Sequence, residues 1–290
     1  DSSKRGSEHI ITFMAESVND QYLSSEGVLN QVIELLQTVL FNPNVDNHVF
    51  KENIVKREKD SVVQRIESLY DDKTRYAQQR LVELLRPNHP ASIGVNGTIE
   101  EVESVTSKSL WNAYLQMLHE DELDIYIVGD INMDEMTEKM KAAIPLEGRV
   151  LPQKQELELT SEVSKDSSHV KEFQNMKQGK LHIGFETPIT FTHPKFPIMQ
   201  ITNGIFGGYP HAKLFMNVRE KESLAYYVSS SFSSSYGLIF VLAGIDASNE
   251  EKAITLIEDQ LEAMKNGQIT QMEIDQTIAM LKNQLTEALD

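Results

Sequence analysis

Histidines are the first residues to weigh for chemistry, because two imidazoles one helical turn apart, beside a glutamate, are how a peptide-cleaving zinc site is written into sequence. The eight are His9, His48, His89, His119, His169, His182, His193 and His211, and the smallest gap between them is the 11 positions from His182 to His193. Neither HExxH nor HxxEH occurs. Each histidine therefore reads as a surface or hydrogen-bonded side chain. The chain has no cysteine, which removes disulfides, thiolate catalysis and cysteine-held zinc or iron–sulfur centres. Serines crowd positions 229–235 without a GxSxG elbow, and fit the solvated face of a hairpin. Gly204, Gly207 and Gly208 match neither a dinucleotide fingerprint nor a P-loop, and fit a turn before a helix. What remains is YPHAKLFMNV (209–218) followed by REKESLAYYV (219–228). Taken alone, Arg219 is a helix-end arginine that suits the helix dipole, and Tyr226 is a packed strand tyrosine. Glu58 and Arg65 lie two turns apart on one helix face, and an arginine has no lone pair to offer a metal.

Composition narrows the partners. The 290 residues suggest one large or two ordinary domains, and 40% hydrophobic residues can bury real cores. A net charge of −17 argues against nucleic acid and against anionic lipid. Ala225–Ile245 is uncharged but holds six serines and a central Ser-Tyr-Gly, so it predicts a hairpin rather than a membrane span. No signal peptide is visible, and a cytoplasmic location is the expectation. The abrupt start, with Ile10, Thr12 and Met14 already alternating as in a strand, suggests a fragment of a longer protein.

Those residues need elements to hold them. Val28, Val32, Leu35 and Val39 predict a helix stopped by Asn42-Pro43-Asn44. A second helix, capped by Asp46 or Asn47, runs on to Arg86-Pro87 with a break near Asp71-Asp72. Two short helices lie over 98–117, the second from Thr106. Leu123–Val128 predicts a strand, and a helix follows to about Ala143. The stretch 145–165 is polar with two prolines and reads as a linker between domains at 1–144 and 166–290. Beyond it, strands are expected at 170–176, 180–186, 224–231 and 238–245. Helices are expected over 194–206, from Pro210 to about Lys221, through Ile254–Met264, and from Thr270 past Leu285. Strands adjoin strands and helices adjoin helices. That order predicts an α+β fold of two domains, each an antiparallel sheet packed with helices.

The second half resembles the C-terminal half of the M16 family of insulinase, pitrilysin and processing peptidases. The match runs through Asn203, Gly207-Gly208, Leu214-Phe215, Arg219-Glu220-Lys221 and Leu224-Ala225-Tyr226. EKDSVVQRIESLYDDK (58–73) resembles the end of an M16 first domain, so the likeness covers nearly the whole chain. Within the family it is similar to Gram-positive homologues regarded as inactive, which accompany an HxxEH-bearing sister. The resemblance implies that Glu58 matches the first of two helical glutamates, and that Arg65 stands where active members carry the third zinc ligand. It places the HxxEH motif upstream of residue 1. It assigns Arg219 and Tyr226 to holding the peptide backbone and steadying the oxyanion, with Gly207 and Gly208 beside the substrate. It departs at Tyr209-Pro210-His211, where relatives carry small residues.

The expected function is thus a catalytically silent M16-type subunit. It binds no metal itself, pairs with an HxxEH-bearing homologue that holds the zinc, and helps to cleave peptides. Two alternatives stay open. One is an active zinc peptidase whose motif lies upstream. The other is an interaction protein with no part in proteolysis.

Overall fold

Apolar periodicity and end caps account for most of the helices. The computed structural model describes residues 1–6, 8–24, 27–87, 89–145, 148–150 and 168–288. Two units form, one of residues 1–3, 9–67 and 95–156, the other of residues 4–8, 68–94 and 157–290. The linker expected at 145–165 lies, apart from Pro145 and 148–150, outside the described residues.

Strands β1 (Ser2–Arg5) and β2 (Glu8–Ile11) open the chain. In the first unit the stripe at Val28, Val32, Leu35 and Val39 folds as α1 (Val28–Phe41), ending at Asn42. The next helix does not start at Asp46 or Asn47. A hairpin of β3 (Val45–Asp46) and β4 (Val49–Phe50) intervenes, and α2 spans Glu52–Asp71. Asn47 and His48 form the two-residue turn with φ of 50° and 59°, the left-handed pair that a tight hairpin requires. Two capping boxes, Thr98 with Glu101 and Thr106 with Ser109, start α4 (Ile99–Ser104) and α5 (Ser107–Glu120). Phe50, Trp111 and Tyr114 pack their rings together, and the Tyr114 hydroxyl donates to Leu40 O at 2.6 Å. Helix α6 (Met133–Ala143) follows Asn132, whose side chain caps it.

The strand expected at Leu123–Val128 is absent: among the described residues nothing hydrogen-bonds this stretch into a ladder, and Val128 is 97% exposed. Alternation shows that a segment suits a strand, but a strand also needs a neighbour. The same holds for Val170–Met176, which joins no ladder among the described residues, with Phe173 exposed.

In the second unit the run LIFVLAGI becomes β7 (Leu238–Ile245), apolar throughout because it is central and covered on both faces. It pairs antiparallel with β5 (Gly179–Glu186) and with β6 (Ala225–Ser233), giving the order β5-β7-β6. One face carries Val228, Ile239, Val241, Ala243 and Ile245. They meet Ile205, Phe206, Leu214, Val218 and the stripe Ala253, Ile257 and Met264 of α8 (Glu250–Lys265). The other face carries Leu238 and Phe240, covered by Leu81, Val82 and Leu85 of α3 (Lys73–Leu85). Gly184 of β5 is what lets α3 close in, since a Cβ there would sit 2.4 Å from Leu85 Cδ1. The sequence places residues 68–94 in the first domain, whereas α3 packs here in the second unit. Helices α7 (Phe196–Asn203) and α9 (Gln271–Glu287) complete this α+β unit.

Candidate functional site

Two irregular elements hold Arg219 and Tyr226. Leu214–Lys221 is a π-helix, one residue wider per turn than an α-helix, a form found often at functional sites. It buries Leu214 and Val218 in the core and turns Arg219 outward. The guanidinium lies 4.6 Å from the Phe215 ring centroid, and Nε is 3.6 Å from Glu220 Oε1. Ser223 ends the helix in the left-handed region (φ 52°), its N–H donating to Arg219 O at 3.1 Å. Leu224 N then donates to Val218 O at 3.0 Å, and the chain enters β6.

A β-bulge follows at once. Ala225 faces Ile245 and Tyr227 faces Gly244, so Tyr226 is an extra residue with no partner across the ladder. A bulge re-aims side chains at a strand's end. Ala225 and Val228, three apart, both join the core, while Tyr226 is 63% exposed. Arg219 and Tyr226 together line one concavity of about 440 Å³, with Glu220, Ser223, Leu224, Asp246 and Asn249. Asp246 accepts from the Ser248 hydroxyl at 2.6 Å and the Ser248 N–H at 2.9 Å, which holds its carboxyl below the usual range. The site thus offers one planar cation, one phenol hydroxyl and acidic flanks. A guanidinium and a phenol can both donate hydrogen bonds to a peptide carbonyl or an oxyanion.

Gly207 and Gly208 end a second π-helical turn, Gly204–Gly208. Gly207 is buried, and a Cβ there would stand 2.7 Å from Ser230 N, Ser230 Oγ and Leu214 Cδ1. A Cβ on Gly208 would be 3.1 Å from Asn203 Nδ2. Asn203 Oδ1 in turn accepts from Ser230 Oγ at 2.8 Å. The pair therefore brings this turn against the middle of β6, the strand that presents Tyr226. The unusual Tyr209-Pro210-His211 segment is tied to α9. Tyr209 Oη donates to Gln284 Oε1 at 2.8 Å, and His211 Nε2 lies 2.9 Å from the buried Thr277 hydroxyl.

In the first unit, Glu58 and Arg65 are exposed on α2. Glu58 Oε1 takes hydrogen bonds from Arg57, and Arg65 Nε donates to Ser61 O at 3.3 Å. Among the described residues no three histidine, aspartate or glutamate side chains cluster as a metal site, and an arginine cannot ligate zinc. Sequence reading missed Tyr227, Gly244, Asp246 and Asn249. Only the Phe215–Arg219 spacing of one helical turn could have suggested a contact in advance.

The family profile described as "Peptidase M16 inactive domain" matches residues 104–281. The chain is 38% identical over 291 residues to "Probable inactive metalloprotease YmfF" of Bacillus subtilis, covering all of this chain and 68% of that protein. It is 24% identical over 269 residues to "Uncharacterized zinc protease YmxG" of the same species, covering 90% of this chain and 62% of the relative. A crystal structure of a conserved protein from Enterococcus faecalis superposes with a TM-score of 0.78 at 34% identity, over 94% of this chain and 64% of that one. The peptidase M16 inactive domain from Pseudomonas fluorescens superposes with a TM-score of 0.69 at 21% identity, over 90% of this chain and 62% of its own, and shows the fold alone. The chain thus spans about two thirds of the relatives it matches.

Proposed function

Because this chain belongs to the M16 peptidase family and is an inactive peptidase-like member of it, we propose that it serves as the peptide-holding subunit of a two-subunit peptidase. Its homologous partner carries HxxEH and supplies the zinc-activated water. In this reading the pair acts in the cytoplasm. Arg219 binds a substrate carbonyl through its planar fork, and Tyr226 donates its hydroxyl hydrogen to the oxyanion of the tetrahedral intermediate. Gly207 and Gly208 keep the supporting turn close to β6.

The observation that carries the reading is the shared concavity of Arg219 and Tyr226, and the family resemblance supports it by setting Arg65 at the third-ligand position. Both side chains are solvent-accessible, so neither is consumed by the core. The test is a peptidase assay on the full-length protein mixed with its HxxEH-bearing homologue, with complex formation followed by gel filtration. Tyr226→Phe should lower turnover by the pair on the order of 10² to 10³, the usual loss for one oxyanion donor. Arg219→Lys should also slow it, and neither change should prevent assembly. A partner that is fully active alone, or a pair indifferent to both substitutions, would overturn the proposal.

A further inference from the structure

Tyr226 is exposed because something else holds its neighbour in. Lys180, Gly244 and Tyr227 form one rung across the three strands, since Lys180 and Tyr227 both face Gly244 in the ladder. The Tyr227 ring lies directly on Gly244. A Cβ there would be 2.3 Å from Cε1, 2.8 Å from Cδ1 and 2.9 Å from Cζ of that ring. At its far end the Tyr227 hydroxyl is 3.2 Å from Lys180 Nζ, which also binds Gln178 Oε1 at 2.7 Å and sits 5.1 Å from the ring centroid. The ring is therefore seated at one end by a missing side chain and tied at the other by a cation.

This seat decides the register. Strand side chains alternate between faces, so Ala225 would share the face of Tyr227 if the ladder were regular. Instead Ala225 is in the core with Val228 on the opposite face. Both placements hold only if one residue between Ala225 and Tyr227 is extruded, and that residue is Tyr226. We propose that Tyr227, seated on Gly244 and tied to Lys180, is the positioning residue that drives Tyr226 out of the sheet and into the concavity with Arg219. Its catalytic consequence rests on the function proposed above. The positioning itself does not.

The test separates the two. 3-Fluorotyrosine is placed at position 226 of the full-length protein, and its ¹⁹F resonance and solvent exposure are compared in the parent, Gly244→Ala and Tyr227→Leu. Turnover is measured with the partner in the unlabelled variants, and Ser229→Ala is the control on the same face. Gly244→Ala displaces the ring, and Tyr227→Leu only removes atoms, so it serves if the first fails to fold. Both should shift the resonance and lower kcat at least tenfold while leaving KM within about twofold, as expected when a group acts only in the transition state. An unchanged resonance would overturn the positioning role whatever the rate. A shifted resonance with unchanged kcat would uphold the seat and overturn the role of Tyr226 in hydrolysis.

Discussion

His182 should make this fold acid-sensitive above the range in which its carboxylates titrate. It lies mid-strand in β5, opposite Leu242, on the face covered by α3. Its Nδ1 is 3.2 Å from Gln78 Oε1, and its buried Nε2 has no hydrogen-bond partner among the described residues. Burial first, then the positive charge of Lys180, hold its pKa down to about 4. In the unfolded chain the same ring titrates near 6.5, as model imidazoles do. Between those values the unfolded state binds more protons, so stability is complete above about pH 6.5 and falls as pH drops toward 4. The gap of about 2.5 units corresponds to roughly 3 kcal/mol, of which about 2.5 kcal/mol is lost by pH 4.5. Glu172 and Glu250 are held below the usual carboxylate range, chiefly by hydrogen bonds from Arg80 and Lys171, so their losses come at lower pH. His89 is also depressed, by burial and then by Arg86 and Lys4, and adds a loss of the same sign. The assay is denaturant unfolding at pH 7.5, 6.5, 5.5 and 4.5 for the wild type and His182→Gln. The variant should keep only the dependence that His89 and, near pH 4.5, the depressed carboxylates supply. Equal losses in both proteins would show that His182 does not carry the effect.

Three further outcomes follow from the packing and the ligand chemistry. Gly207→Ala should cost about 1–3 kcal/mol in denaturant unfolding, because its Cβ meets backbone at Ser230, whereas Gly208→Ala should cost less. Arg86→Met should cost about 3 kcal/mol, the low end for a broken buried pair, since Arg86 is buried while its partner Glu186 is partly solvated. Adding Glu186→Leu should recover much of that loss in a double-mutant cycle. Elemental analysis after mild dialysis should find less than stoichiometric zinc on this chain, and a full equivalent lost on chelation together with peptidase activity would refute the silent-subunit reading.

The parts of the fold that were legible in sequence are those that local rules determine. Thr98, Thr106 and Thr270 each precede a helix and form a capping box, and Asp72 caps α3 where the pattern broke. The β6–β7 hairpin was marked by Ser-Tyr-Gly, with Gly237 at φ 59°. What stayed hidden depended on distant neighbours. Leu123–Val128 and Val170–Met176 have strand composition but no ladder among the described residues. The second of these stretches is held instead by side chains. Glu172 accepts from Tyr76 and Arg80, while His169 and Lys171 reach Glu250. At the site, sequence supplied Arg219 and Tyr226 only through the family likeness. The π-helix, the bulge and the Tyr227–Gly244 seat leave no periodic trace, because each is a one-residue departure from a period.

Those departures bear on why half of a site would persist. A π-helical turn has poorer backbone geometry than an α-helix. A bulged residue gives up its place in the ladder. A glycine in a strand costs roughly 0.5–1 kcal/mol relative to alanine. All three meet within the stretch from Leu214 to Tyr227 and its partner Gly244, beside a well-packed core. Regularising the helix or the bulge would remove a local cost, whereas a side chain at Gly244 would collide with the Tyr227 ring seated on it. Yet each turns one of two side chains outward: the π-helix presents Arg219, and the bulge with its glycine seat presents Tyr226. A surface arginine and a surface tyrosine contribute little to holding this unit together. On the function proposed above, the return for the local cost would lie outside the chain, in a peptide held between these two donors and a partner's reactive centre.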